Sequence, residues 1–295
     1  SMNKKLKKLV SVTSVTLCAL IAFSLPTQVF AQNLPINTEV KTQTPNEEQS
    51  SDEYNTGNIL SEIKDERDEY SKQFRLDDGT TMAVSYQEPI HYKNAAGEWV
   101  DYDNSLKNET VNSASPDEVT EEYTNKKSDF KVNYSKKSKE NSMVKIKDDN
   151  QKINWGYKDT NKVKSTIVNN DEKLTGNDKF TTLKNLTSEI TYENIYDDVD
   201  VQYFTTTTGV KENIILKNKN ARSDFYIQYK FNNLTAKSVD DKTVELLNSK
   251  GDAVYKIEAP FMFDNGGKTS TDLTLSITEQ KKNKLTLKVS ADKKF

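Results

Sequence analysis

The chain has 295 residues, of which 34% are hydrophobic and 29% are charged, so it can build a modest core but not a large one. Its 42 basic residues face 45 acidic ones, and this balance disfavours nucleic acid as a partner because phosphate binding calls for an excess of cations. Only one or two domains fit into this length.

The N-terminus has the pattern of a targeting signal. Four lysines within the first eight residues precede the apolar run "LVSVTSVTLCALIAFSL", which ends before Pro26. This pattern predicts a cleavable secretory signal peptide over residues 1–31, with cleavage after Ala31. A membrane anchor needs about 20 apolar residues, whereas this run contains several Ser and Thr, so we expect no membrane span after cleavage. Loss of four of the 42 basic residues leaves 38 against 45 acidic residues, a net charge of −7.

The only cysteine, Cys18, lies inside this predicted leader. The mature chain would therefore contain no thiol, and it could form neither a disulfide nor a cysteine-based catalytic or metal site. We expect its stability to depend on β-strand pairing and on burial of the core.

Residues 32–57 are almost wholly polar and contain two prolines, which predicts a disordered spacer. In the next stretch, residues 58–74, apolar residues recur at steps of three to four around the charged sequence "KDERDE". This spacing allows a short amphipathic helix, although the end of the stretch could also open a strand.

Two β-hairpins are predicted after that stretch. The segment "FRLDDGTTMAVSY" places two β-prone runs around the turn sequence 77–79, and "IHYKNAAGEWVDYD" repeats this design around residues 94–97. Residues 104–128 are again polar and include Pro116, which favours a linker. We therefore assign residues 58–128 to N-terminal hairpins with a polar linker.

Residues 129–295 have the pattern of an antiparallel β domain. Alternating segments such as "VDVQYFT", "DFYIQYKF" and "KLTLKVS" follow one another at spacings of roughly ten residues, joined by turns that contain Gly and Asn. This pattern predicts an all-β fold, either an antiparallel β-sandwich or paired sheets, and the uneven loops argue against a closed barrel. We expect the domain to be truncated at its C-terminus.

Glu212 is the one acidic residue on a face that should be buried. In the predicted hairpin over residues 196–216, it alternates with Val210, Ile214 and Leu216. A buried carboxylate costs several kcal/mol unless it is paired or hydrogen-bonded. We therefore favour a structural role for Glu212, through a salt bridge or an interrupted register, over a role in acid-base catalysis.

Two acidic groups could contribute oxygen ligands to calcium. One is Asp197, Asp198 and Asp200, and the other is Asp101, Asp103 and Asn104, because oxygens at alternate positions suit this ion. Neither group has the loop spacing of an EF-hand, and acidic residues on turns and on outward strand faces explain both groups. We expect no metal and no cofactor.

Catalytic motifs are sparse. His91 is the sole histidine, so a Ser-His-Asp triad would have to use it and a His-rich zinc site is impossible. No G-x-S-x-G, H-E-x-x-H or phosphate-binding glycine loop occurs, and paired-carboxylate hydrolysis stays open because Asp and Glu are abundant. Among the aromatic residues, Tyr226 and Trp99 are weak candidates for stacking on a sugar, but core packing explains most of the others.

Three segments resemble the N-terminal region of secreted, wall-associated YD-repeat (Rhs-type) proteins of Gram-positive bacteria. They are "EPIHYKNAAGEWVDYDNSL" (88–106), "ITYENIYDDVDVQYFTTTTGVKENIILK" (190–217) and "GDAVYKIEAPFMFDNGG" (251–267). In that family the region follows a signal peptide and precedes β-shell repeats and a variable C-terminal toxin used in competition between cells. The resemblance implies a scaffold role for Glu212, whereas the chain itself contains neither YD repeats nor an effector domain.

The function that we predict from the sequence is a non-enzymatic, exported domain for surface presentation or assembly of a wall-associated Rhs-like protein. Its partners would be the cell wall or the remainder of a larger Rhs-like protein, with no nucleic acid, and its location would be secreted or in the cell wall. An alternative is a carbohydrate- or cell-wall-binding module. A secreted glycosidase is the third hypothesis and needs two carboxylates about 5 to 10 Å apart in a cleft.

Overall fold

The computed structural model describes residues 10–13, 15–19, 39–42, 58–112, 119–148, 151–169, 183 and 185–291. Within these ranges the chain forms 25 β-strands, one 3-10 turn at Lys64–Glu66 and no α-helix, which confirms the predicted all-β class. No helix in this part of the chain has the length and apolarity needed to cross a membrane. Most of the predicted leader (1–31) and spacer (32–57) lies outside the described residues.

The first eight strands belong to the leader, the spacer and the predicted hairpin region. They are β1 (Val10–Thr13), β2 (Val15–Ala19), β3 (Glu39–Thr42), β4 (Ile59–Glu62), β5 (Ser71–Leu76), β6 (Thr81–Ser85), β7 (His91–Lys93) and β8 (Trp99–Asp101). A four-stranded sheet has the order β3-β6-β5-β4, and β7 pairs with β8. Both predicted hairpins, β5–β6 and β7–β8, are therefore present.

The amphipathic helix suggested for residues 58–74 does not form. Instead, β4 and β5 flank the 3-10 turn, and Phe74 and Leu76 are buried on one face of β5 at a spacing of two. Gly79 adopts a φ of 84° in the turn that follows, which is the left-handed conformation that favours glycine. The tight turn at Gly79 and the alternating burial in β5 favour a hairpin more strongly than the spacing of three to four residues favours a helix. Within the predicted spacer, β3 pairs antiparallel with β6.

The remaining strands build larger sheets. They are β9 (Asp103–Asn112), β10 (Val119–Lys127), β11 (Lys131–Ser135), β12 (Val144–Asp148), β13 (Gln151–Tyr157), β14 (Ser165–Asn169), β15 (Ser188–Tyr196), β16 (Val199–Thr205), β17 (Val210–Leu216), β18 (Asp224–Asn232), β19 (Thr235–Ser238), β20 (Val244–Leu247), β21 (Ala253–Ile257), β22 (Phe261–Asp264), β23 (Thr269–Ser270), β24 (Leu273–Lys281) and β25 (Lys284–Ala291).

Two of these sheets form the main β-sandwich. One has eight strands in the order β24-β25-β18-β13-β12-β11-β10-β9, and the other has seven in the order β14-β15-β16-β17-β2-β22-β23. A further four-stranded sheet has the order β1-β21-β20-β19. Pairing is antiparallel throughout the described sheets except where β1 and β2 take part.

The polar stretch 104–128, expected to be a linker, contains β9 and β10, which pair with each other at the end of the eight-stranded sheet. A strand at the edge of a sandwich needs apolar residues on its inner face only, so a polar sequence can still form one. Leu106 supplies such an inner residue, and the amide of Asn125 donates to the Phe130 carbonyl oxygen at 3.1 Å.

The core lies between the two large sheets, where side chains at alternate positions interdigitate. Trp155 of the eight-stranded sheet meets Tyr203 of the seven-stranded sheet edge-on, with ring centroids 6.4 Å apart. Across the same layer, the Tyr134 and Thr205 hydroxyl groups are hydrogen-bonded at 2.8 Å. This aromatic layer surrounds the position of Glu212.

Candidate functional site

Glu212 lies in the middle of β17, and its side chain is completely buried. The β16–β17 hairpin places it directly opposite Tyr203, and the intervening turn is held by a hydrogen bond from the Thr206 amide to the Gly209 carbonyl oxygen at 2.8 Å. Residues 199, 201 and 203 are buried at the same spacing of two. The carboxyl group therefore points into the sandwich core, as the alternation predicted.

Two neutral donors from the opposite sheet contact the Glu212 carboxyl group. Trp155 Nε1 donates to Glu212 Oε2 at 3.0 Å, and the Tyr157 hydroxyl donates to Oε1. Both donors come from β13, two positions apart, so they lie on the same face of that strand. Neither donor is a cation, so the salt bridge considered for Glu212 is replaced by charge-neutral hydrogen bonds, and β17 pairs with β16 in an unbroken register.

Burial dominates the electrostatics of this carboxyl group. Desolvation raises the pKa of Glu212 from 4.5 to about 7, while the hydrogen bonds from Tyr157 and Trp155 favour the ionised form and limit the rise. The pKa of Tyr203 also lies well above its ordinary value because of burial and the nearby Glu212. These aromatic groups are thus uncharged at neutral pH, and Glu212 is the group among them that titrates near it.

The surroundings of Glu212 separate it from solvent. Trp155, Tyr157 and Tyr203 are all fully buried and pack around the carboxyl group from both sheets. A general acid or base must come within hydrogen-bond distance of a substrate atom, directly or through one water. The geometry offers no such approach. Trp155 and Tyr157 were not predicted as partners of Glu212, although "NWGY" shows two side-chain donors at a spacing of two.

His91 belongs to a cluster of charged side chains in the N-terminal hairpins. Its ring is fully buried, with Nδ1 2.6 Å from the Asp68 carbonyl oxygen and Nε2 3.4 Å from Asp101 Oδ1. Asp101 also contacts Lys72 Nζ at 3.0 Å and Arg67 Nη2 at 3.2 Å. Both ring nitrogens thus face oxygen atoms of the protein, and the ring has no exposed surface from which to act on a substrate.

The basic side chains of this cluster stabilise its carboxyl groups in the ionised form. Desolvation raises the pKa of Asp101, but the neighbouring His91 ring and the Lys72 charge outweigh it and hold the pKa below its ordinary value. Arg67 in turn makes an ion pair with Glu62 at 2.6 Å. These contacts join β4, β5, β7 and β8 into one unit.

The three aspartates considered for calcium do not converge. Asp200 Oδ1 accepts from the Asn194 amide at 2.6 Å and lies 2.7 Å from Lys217 Nζ. Asp198 occupies the turn between β15 and β16 with a φ of 58°, and Asp197 lies 3.4 Å from the Asn161 amide. Among the residues that the structure describes, no three or more His, Cys, Asp or Glu side chains are grouped so that they could hold a metal ion. In the second set, Asp101 belongs to the charged cluster and Asp103 accepts from Ser105.

A polar cleft of about 600 Å³ lies next to the turn between β15 and β16, and Asp197 and Asp198 line it. The Arg222 guanidinium is stacked over the Tyr196 ring at 4.1 Å from its centroid, and Arg222 Nε donates to the Asp224 carbonyl oxygen at 2.8 Å. Because Tyr196 is only 5% exposed and Arg222 stacks on its ring, this residue offers the cleft no free aromatic face.

The two candidate sugar-stacking residues lie on separate sheets. Trp99 is partly buried in β8, with Lys93 Nζ 4.7 Å from its ring. Tyr226 is partly buried in β18, with Lys288 Nζ 5.8 Å from its ring centroid. In each case a lysine lies over the ring, so the two residues do not form a shared flat platform.

Comparison with known proteins places this fold in context. No protein family model matches the chain, and no solved structure matches it. The chain is 28% identical over 205 residues to the tRNA nuclease WapA of Bacillus subtilis (strain 168). The aligned region covers 69% of this chain and 8% of that protein. It is 27% identical over 205 residues to the tRNA3(Ser)-specific nuclease WapA of Bacillus spizizenii, with the same coverage. It is also 27% identical over 208 residues to a wall-associated protein of Geobacillus stearothermophilus, covering 69% of this chain and 75% of that protein.

These relatives correct one prediction and support another. The expectation that the protein is not an enzyme is contradicted, because the Bacillus relatives are named tRNA nucleases. The same names weaken the predicted exclusion of nucleic acid as a partner. The chain spans only 8% of the length of those nucleases. The predicted localisation at the cell wall is supported, because the Geobacillus relative is named a wall-associated protein.

Proposed function

We propose that this chain acts in a wall-associated tRNA nuclease and forms a β-rich segment of it at the cell wall. The observation that carries the proposal is the similarity over 205 residues to proteins named tRNA nuclease WapA. The Geobacillus relative, of which 75% is matched, is named only as a wall-associated protein. It supports a location of this region at the cell wall. The activity is proposed for the whole protein, since the matched region is a small part of the nucleases.

Within that protein, we assign Glu212 an architectural role. It accepts hydrogen bonds from β13 while lying on β17, so it connects the two sheets of the sandwich. Buried polar groups that are satisfied in this way select one packing arrangement, because any other packing leaves a donor without a partner. The full burial of His91 fits a similar architectural role in the hairpin region.

The proposed partners are the cell wall and the remainder of a larger YD-repeat (Rhs-type) protein. The signal pattern of residues 1–31 supports export, and the net charge of −7 after its removal suits a segment that does not itself hold tRNA phosphates. tRNA would instead be bound by cationic surface elsewhere in the protein. Export followed by competition between cells is the role that the resemblance implies.

The test uses the strain that carries the gene. Wall fractions from the wild type and from a strain lacking residues 32–295 are incubated with tRNA, and cleavage is read on a denaturing gel. We expect the wild-type fraction to cleave tRNA, the deletion fraction to lose this activity, and a copy of the intact gene to restore it. A wild-type wall fraction that leaves tRNA intact, or equal cleavage in both fractions, would contradict the proposal.

A further inference from the structure

The outer face of the eight-stranded sheet carries a file of lysines. In an antiparallel pair, residues directly opposite each other lie on the same face of the sheet. Lys147 of β12 is opposite Lys131 of β11 on one side and opposite Lys152 of β13 on the other. Their neighbours in sequence, Ile146 and Ile153, are buried in the core. Since successive side chains of a strand point to opposite faces, the three lysines point outward.

The file continues across three more strands of the same sheet. Lys284 of β25 is opposite Lys230 of β18 and also opposite Lys281 of β24. Lys152 pairs with Asn232 of β18, so Lys230 is its diagonal neighbour. The lysine stripe is defined by these six exposed residues, one on each of six adjacent strands: Lys131, Lys147, Lys152, Lys230, Lys284 and Lys281. With strands about 4.8 Å apart, the stripe is about 24 Å long.

Acidic side chains neutralise only the two ends of the stripe. Lys131 is paired with Glu109, and Lys281 is paired with Glu279. Among the described residues, the four lysines between these ends make no ion pair: Lys147, Lys152, Lys230 and Lys284. Like charges directly opposite each other destabilise a sheet. The stripe therefore concentrates repulsion between cations on a chain whose net charge is −3.

Protection of the sheet edge does not explain this pattern. Lysines often occupy edge strands, where their charge prevents pairing with another sheet. Of the six lysines, only Lys281 lies on an edge strand, and the other five lie on interior strands. A soluble surface is also obtained with charges of both signs interspersed, whereas the stripe sets lysine opposite lysine in four pairs. A bound anion would remove this repulsion.

We propose that the lysine stripe binds a linear, phosphate-bearing polymer of the cell wall, which lies across the strands. The inference rests on the proposed function, because the location at the cell wall is part of it. Lysine binds phosphate as a point charge, without the bidentate geometry of arginine. The stripe contains neither arginine nor an aromatic residue. It therefore recognises the spacing of charges along a chain rather than a base or a sugar ring.

A folded RNA fits the lysine stripe less well than a flexible polymer. The phosphates of an A-form stem follow two helical strands, so few of them meet a single file of cations. Single-stranded nucleic acid is bound with the help of aromatic side chains on which its bases stack, and the stripe offers none. A flexible chain with one charge per short repeat can place successive phosphates against successive lysines.

The first test measures binding of the full chain to purified cell walls of the strain that carries the gene. One portion of the walls is left intact, and the phosphate polymers of a second portion are removed with hydrofluoric acid. Sedimentation should show at least tenfold weaker binding to the stripped walls. Equal binding to both portions would overturn the proposal.

The second test compares two variants that each lose three positive charges. The stripe variant carries Lys147→Gln, Lys152→Gln and Lys230→Gln. The matched control replaces three exposed lysines outside the stripe, with Lys211→Gln, Lys219→Gln and Lys250→Gln. Inorganic polyphosphate is the probe, and its affinity is measured from 50 to 200 mM salt.

The stripe variant should bind polyphosphate at least tenfold more weakly than the wild type at about 100 mM salt. Its slope of log affinity against log salt should be shallower by about 2 to 3, because each lost phosphate contact removes about 0.7 to 0.9 from the slope. The control should stay within twofold of the wild type. An equal loss in both variants would make net charge the cause and overturn the site.

Thermal unfolding at low salt gives an independent readout of the repulsion. Without ligand, the stripe variant should have a higher Tm than the control variant, since it lacks the opposed lysines. Polyphosphate should raise the Tm of the wild type and leave that of the stripe variant unchanged. A stripe variant with a lower Tm than the control, or with the same response to polyphosphate as the wild type, would contradict the proposal.

The last arm separates the wall polymer from tRNA and the stripe from the nuclease function. If tRNA displaces the chain from intact walls as effectively as polyphosphate at equal phosphate concentration, the wall polymer is overturned as the ligand. Wall binding that depends on the stripe, with no tRNA cleavage by wall fractions, would reject the nuclease function and support the stripe. Cleavage together with wall binding that is unchanged in the stripe variant would overturn the stripe alone.

Discussion

The substitution Glu212→Gln tests whether a buried, protonated carboxyl group holds the two sheets together. Gln is isosteric with protonated Glu, and its amide can still accept from Trp155 Nε1 and donate to the Tyr157 hydroxyl oxygen. The variant should fold normally, but the free energy of unfolding should lose one source of pH dependence.

The magnitude follows from the pKa of Glu212. Because its folded pKa of about 7 lies above its ordinary value of 4.5, the native state binds more protons than the unfolded state between these two values. The free energy of unfolding therefore falls as pH rises from about 4.5 to about 7 and is level above that range. With about 1.4 kcal/mol per pKa unit, Glu212 should account for roughly 3 kcal/mol of this fall.

The assay is urea unfolding of the wild type and Glu212→Gln from pH 4.5 to 8.5. Trp155 fluorescence reports on the core, and Trp99→Phe in both proteins removes the second tryptophan. The difference between the two proteins isolates Glu212 from all other titrating groups, and it should shift in favour of the Gln variant by roughly 3 kcal/mol across this range. A difference that stays constant with pH would refute the buried, protonated state.

Four further substitutions test the packing elsewhere. Asp101→Asn removes the carboxylate at the centre of the charged hairpin cluster and should cost about 1 to 2 kcal/mol at pH 7; since the folded pKa is depressed, the loss should shrink as pH falls below 4, as measured by urea unfolding. Gly156→Ala places a Cβ 2.7 Å from a backbone carbonyl oxygen and should cost about 1 to 3 kcal/mol, whereas Gly266→Ala, which meets only a flexible side chain at 3.2 Å, should be nearly neutral. Arg222→Lys replaces the guanidinium stacked on Tyr196 and should lower stability by about 0.5 to 1 kcal/mol, visible as a small drop in Tm.

The sequence predicted strands where alternation and turn chemistry agreed. The turn of β5–β6 and the series Val199, Val201 and Tyr203 both gave correct elements, because a period of two and a glycine with positive φ are local properties. The polar hairpin of β9 and β10 was missed since its inner face contains few apolar residues. Edge strands depend on pairing with distant partners, which a local pattern does not contain.

The partners of Glu212 were beyond sequence reasoning for a related reason. The alternation predicted that this side chain points inward, but its donors are 55 and 57 residues away on the facing sheet. Sheet order decides which strands face each other, and it depends on the whole topology. Nothing in the sequence indicated the activity for which the Bacillus relatives are named, because this chain matches only 8% of their length, where no catalytic motif need occur.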